Sequence, residues 1–193
     1  MKGKRPFPGR ARGRPKGGSP ANGRGEVGRG SEFAELDSLR APLFAEMARL
    51  HSEPSASSEP PHLCCKRERN QMRISPLEAH AIARVFRRDP ALRSKLPQVL
   101  ERVRAEVAHL KTSGRRQNFE CPLLDGTRCL VHEQAKPMGC LAWNPGRDYS
   151  EAGWKAFRER DGLNDRTYGP NWTLRVIPLW LARVFSRELG DPG

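Results

Sequence analysis

Apolar residues are scarce in this chain. They fill 36% of 193 positions, and tyrosine occurs only twice. No uninterrupted apolar run reaches the roughly 18 residues a membrane-spanning helix needs, so no such helix is expected. The amino-terminal stretch is positive but has no apolar segment behind it, which argues against a secretory signal. A transit peptide would also be amphipathic and serine-rich, and G-R-A-R-G-R-P-K-G-G is neither. A cytoplasmic protein with no membrane partner is therefore expected. Catalytic fingerprints are missing as well. There is no G-x-G-x-x-G opening a βαβ unit, no G-x-x-x-x-G-K-[ST], no convincing Ser/His/Asp set and no C-x-x-C.

What the chain has in quantity is glycine, proline and positive charge. Glycine and proline number 18 and 17, and the net charge is +13. The charge is uneven: Met1 to Gly30 holds nine Lys or Arg against the single acid Glu26, a net of +8 that leaves +5 for all the rest. Such a segment buries too little to offset its ordering entropy, so residues 1–30 are expected to form a disordered basic arm. It could sit on nucleic acid or another polyanion through phosphate contacts, or simply be a solvated tail. Phe7 is its only aromatic, so base stacking is not supported.

Residues 31–193 read as one mainly α domain: a small helical body with an irregular cysteine-rich loop and hairpin segment. Ser31 to about His51 has helical spacing, with Phe33, Leu36, Leu39 or Arg40, Leu43, Phe44, Met47 and Leu50 on one face and Pro42 as an interruption. Ser52 to Pro61 is a linker by composition. Ser75, Pro76 and Glu78 spell a capping box that opens a helix to Arg88, with Leu77, Ile82, Val85 and Phe86 facing inward. His80 lies on that helix and is read as surface or satisfied core.

From Asp89-Pro90, a stripe of Leu92, Leu96, Leu100, Val103, Val107 and Leu110 follows, with Pro97 opening a second segment. Glu101, Arg102, Arg104 and Glu106 are expected on the solvated side. Cys121 to His132 suggests a hairpin turning at Asp125-Gly126. Gly153 to Arg160 is expected to be one or two helical turns, with Trp154 and Phe157 inward, and Asn164 to Asn171 a loop. Leu174, Ile177, Leu181, Val184 and Phe185 mark a final helix opened or kinked at Pro178 and ended by Gly190 and Pro192.

The five cysteines carry the chemistry. Cys64 and Cys65 are adjacent, and Cys121, Cys129 and Cys140 cluster later. In a reducing compartment, clustered thiols are more often metal or redox groups than structural disulfides. Thiolates suit zinc and iron. If the hairpin forms, Cys121 and Cys129 fall on its two arms, and Cys140 follows a Pro-Gly bend. His62 and His132 are reserve donors. The spacings of seven and ten residues match neither a zinc finger nor a ferredoxin. Five small buried cysteines, or a redox thiol pair, remain open on these residues alone.

The stretch C-P-L-L-D-G-T-R-C-L-V-H-E-Q-A-K-P-M-G-C resembles the second half of the YkgJ family of zinc- or iron-chelating domains. Cys64-Cys65 followed by I-S-P-L-E-A-H-A-I-A resembles its first half. The likeness covers about residues 62–145. It implies that Cys64, Cys65, Cys121, Cys129 and Cys140 bind zinc or iron, with an iron–sulfur cluster as one form. Two earlier family cysteines would fall near Ser58 and Pro61 and are absent. His132 stands where the family has tyrosine, and Lys136 and Leu141 stand where it has arginine. Fewer thiolates favour a single four-ligand site, largely structural, over a large cluster. Cysteine-rich modules resembling this one occur in a protein lysine methylase. A metal- or cluster-dependent modifying enzyme is therefore an alternative function, and a nucleic-acid-binding protein using the basic arm is another.

Overall fold

The structure, a computed structural model, describes residues 30–52, 65–113, 117–143 and 150–188. The basic arm up to residue 29, the linker from residue 53, His62, Cys64, Gly190 and Pro192 lie outside the described residues, and Ser52 closes the first helix rather than opening the linker. What is described is mainly helical, as the sequence leads one to expect. In chain order the elements are α1 (Gly30–Ser52), β1 (Arg73–Ile74), α2 (Pro76–Arg88), α3 (Pro90–Thr112), β2 (Leu124–Asp125), β3 (Arg128–Cys129), α4 (Met138–Ala142), α5 (Glu151–Tyr168), β4 (Arg175–Val176) and α6 (Ile177–Glu188). None of the described helices is long and apolar enough to cross a membrane.

α2 organises the body. Its capping box forms in full: Ser75 Oγ accepts from the Glu78 N–H, and Glu78 Oε2 accepts from the Ser75 N–H at 2.8 Å. The helix is buried on both flanks because alanine alternates with large apolar side chains. Ile82 and Phe86 face one apolar cluster, completed by α3, α6 and the hairpin; Val99, Phe119, Leu123, Leu181 and Phe185 lie in it. Leu77 and Ala81 face a second, completed by Phe33, Leu36 and Leu43 of α1, Met138 and Leu141 of α4, and Phe157 and Leu163 of α5.

Where α1 left a choice between Leu39 and Arg40, Arg40 takes the buried place. Its Nη1 donates to Asp37 at 2.7 Å, while Nε and Nη2 meet no acceptor among the described residues.

Three expectations about the helices fail. Pro97 does not open a segment; α3 runs through it from an Asp89 cap, whose carboxylate accepts from Ala91 and Leu92 N–H. The helix tolerates the one backbone bond a proline cannot make. Glu106 is buried rather than solvated, for reasons given below.

α5 is far longer than two turns and includes Asn164 to Tyr168, ending at Gly169 with φ +75°. Its inward stripe was disguised, because Arg160 and Asn164 occupy core positions where apolar residues are expected. The two-residue antiparallel pair of β1 with β4, Arg73 opposite Val176, has no counterpart in the sequence reading.

Those polar core positions are answered by α2. Glu78 is fully buried. Its Oε1 accepts from the Met138 N–H at 2.9 Å, and its Oε2 lies 3.5 Å from Arg160 Nη1. Asn164 Oδ1 accepts from the Leu77 N–H at 3.2 Å, and its Nδ2 donates to the Arg160 carbonyl at 2.8 Å. One carboxylate thus joins the starts of α2 and α4 to the middle of α5. Replacing Glu78 by alanine is expected to cost about 3–5 kcal/mol, because it leaves two buried N–H groups without an acceptor and the buried Arg160 guanidinium with Asp161 as its one carboxylate partner among the described residues. Urea denaturation of the two proteins measures the difference.

Candidate metal centre

Cys65 begins a tight turn closed by Arg69 and Asn70 N–H groups on the Lys66 carbonyl. The segment 117–121 runs beside this turn. The Phe119 N–H donates to the Asn70 carbonyl at 3.1 Å, and the Cys121 N–H donates to the Cys65 carbonyl at 2.8 Å. Side chains reinforce the lacing: Lys66 pairs with Glu120 at 3.0 Å, and Asn118 Nδ2 donates to the Glu68 carbonyl at 3.4 Å. Glu106 of α3 reaches in from below, with one carboxylate oxygen on Arg67 and the other on the Glu120 N–H at 3.2 Å. That double engagement is why Glu106 is buried. Phe119, fully buried, anchors the segment in the first apolar cluster.

From Cys121 the chain turns, with the Leu124 N–H on the Cys121 carbonyl at 3.0 Å, into the expected hairpin. β2 and β3 pair antiparallel, and Gly126 takes φ +61° at the first loop position. A positive φ there alone is the pattern of a type II′ turn. The register corrects one expectation: Cys129 stands opposite Leu124, so Cys121 lies before the paired arm rather than on it.

Cys140 sits in α4, whose first N–H is held by Glu78. Gly139 lets the chain pass close under Met72; a β-carbon there would run into the Met72 sulfur. Cys65, Cys129, Cys140 and Met72 all pack, half-buried, on the cluster to which the buried Cys121 belongs.

The structure therefore brings Cys65 and Cys121 together and sets Cys129 and Cys140 around the same core. Among the described residues, no group of three or more His, Cys, Asp or Glu side chains stands ready to hold a metal ion. His132 follows Cys129 on the hairpin, with its N–H on the Cys129 carbonyl at 3.1 Å and its Nδ1 3.2 Å from Lys136 Nζ. His80 stacks on Tyr168 with ring centres 6.1 Å apart, in keeping with a structural role. The missed positions are Glu106, Glu78 and Gly139. Only Glu78 had a local signal, its capping box.

Beside Cys129 and His132, a groove of about 390 Å³ separates the hairpin from the start of α3. Its polar groups answer one another: Lys95 pairs with Asp125, Arg128 pairs with Glu133 at 2.9 Å, and Gln134 Nε2 donates to Asp89 at 3.0 Å. The Lys95 hydrogen bond and charge, with Arg102 adding a little, hold the Asp125 carboxyl below its ordinary value of 3.8. Gln134, followed by backbone N–H groups, does the same for Asp89. Comparison with protein-family models, with curated proteins and with solved structures finds no match to this chain.

Two measurements follow from this geometry. Glu106→Ala is expected to loosen the lacing and speed hydrogen exchange at the Cys121 N–H, while Glu106→Gln, which still accepts from Glu120, speeds it less. Because the Asp125 pKa is lowered on folding, its contribution to stability is present above the unfolded value and is lost as pH falls through the folded one. Urea midpoints of wild type and Asp125→Asn should therefore differ at neutral pH and converge in acid.

Proposed function

We propose that the protein binds zinc or iron through its cysteines, in the manner of the YkgJ family it resembles, at a largely structural site. The observation that carries this reading is the Cys121 N–H on the Cys65 carbonyl, which joins two thiol-bearing segments far apart in sequence. Thiolates are the donors that zinc and iron clusters take. On this reading Cys65, or its neighbour Cys64, shares the ion with Cys121, Cys129 and Cys140.

A bound ion would tie the turn after Cys65, the segment before the hairpin and α4 to one point, adding stability where apolar burial is thin. The Glu106 and Glu78 carboxylates act on the site indirectly, by holding the Cys121 and Cys140 segments. A cytoplasmic location belongs to the same reading, since reduced thiols are what the site needs. Nucleic-acid binding rests on the charge of the arm alone, and nothing among the described residues favours it over metal.

Elemental analysis of the full chain purified without oxygen is expected to find stoichiometric zinc or iron, brown if an iron–sulfur cluster is held. Cys65→Ser and Cys121→Ser should each lose that metal, and chelation should lower the thermal midpoint. Wild-type protein free of zinc, iron and acid-labile sulfide would remove the reading.

A further inference from the structure

We infer that Cys65 and Cys121 close a reversible disulfide when no metal holds them, so that oxidation and metal binding compete for the same sulfurs. The competition rests on the metal reading above; the disulfide does not.

The geometry is set by the backbone. In a β-ladder N–H···O=C bonds keep facing Cα atoms about 4.5–5.5 Å apart, and the same kind of bond joins these two irregular segments. A disulfide needs roughly 4.4–6.8 Å. The Cys121 N–H to Cys65 carbonyl bond of 2.8 Å holds these two residues in direct backbone contact. Both side chains also meet the same apolar cluster: Cys121 is part of it and Cys65 packs on it.

The spacing does not depend on the thiols themselves. Phe119 on Asn70, Lys66 on Glu120, and Glu106 on Arg67 and the Glu120 N–H all hold the two segments together. Closing the bond therefore needs side-chain rotation rather than refolding. The other thiols are placed differently. Cys129 faces Leu124 across the hairpin, and Cys140 rides on α4 beside Met72.

Accessibility orders the chemistry, since Cys65 is half-buried and Cys121 is buried. With oxidised glutathione as the oxidant, the Cys65 thiolate attacks one of its sulfurs and expels a glutathione thiolate, leaving a mixed disulfide. The Cys121 thiolate then attacks the Cys65 sulfur and expels the second glutathione. The protein loses two electrons and two protons; glutathione disulfide takes both and leaves as two thiols.

The test uses the full chain, stripped of metal, incubated with oxidised glutathione, alkylated and mapped by mass spectrometry. A reducible link should join Cys121 to the peptide carrying residues 64 and 65, persist in Cys64→Ser and vanish in Cys65→Ser. The wild type and Cys64→Ser carry the test even if Cys65→Ser folds poorly. No link, or a link from Cys121 to Cys64, Cys129 or Cys140, would overturn the inference. Zinc added before the oxidant should suppress the link. A link that forms equally with zinc present, in a chain that retains no metal, keeps the thiol pair and removes the metal reading.

Discussion

A carboxylate sealed from water must have its charge and lone pairs answered by the protein, and in this fold that constraint falls on Glu78. It accepts from the Ser75 and Met138 N–H groups and faces Arg160. Burying such a pair gains little by itself, since desolvation offsets attraction. Its effect is on geometry. The placement of α4 and α5 against the head of α2 satisfies these partners together. Cys140 inherits its position from that placement, two residues after Met138.

Glu106 plays the matching part on the other side of the body. It holds Arg67 and the Glu120 N–H at once, and so keeps the Cys65 turn against the segment entering the hairpin. The two carboxylates differ in what they join. Glu78 ties helix to helix, whereas Glu106 ties a helix to two irregular segments that have little ladder of their own. Thiols in irregular segments can approach from several directions, which a metal ion requires and a single helix face does not supply. The same looseness brings a pair of sulfurs within reach of oxidation.

Local chemistry made some of this visible from the residues alone. The capping box at Ser75 and Glu78 and the glycine at the hairpin turn each carry their own signal and form as expected. Long-range partners left none. Glu106 reads as one more charge on a helix face until Arg67 and Glu120 arrive from elsewhere in the chain. α5 looked short because Arg160 and Asn164 break its apolar stripe, and their partners Glu78 and Leu77 lie on a different helix. A hairpin reading puts Cys121 and Cys129 on its two arms, but the turn before Leu124 takes Cys121 off the paired strand. The site is legible as a set of residue types; its geometry depends on contacts that no local pattern encodes.

Sulfur from these segments surrounding a metal is the central claim. X-ray absorption at the zinc or iron edge, on full-length protein purified without oxygen, measures this directly. A first shell dominated by sulfur, at about 2.3 Å for zinc, is the result the account predicts. A shell of nitrogen and oxygen alone, or no edge above background, would contradict it.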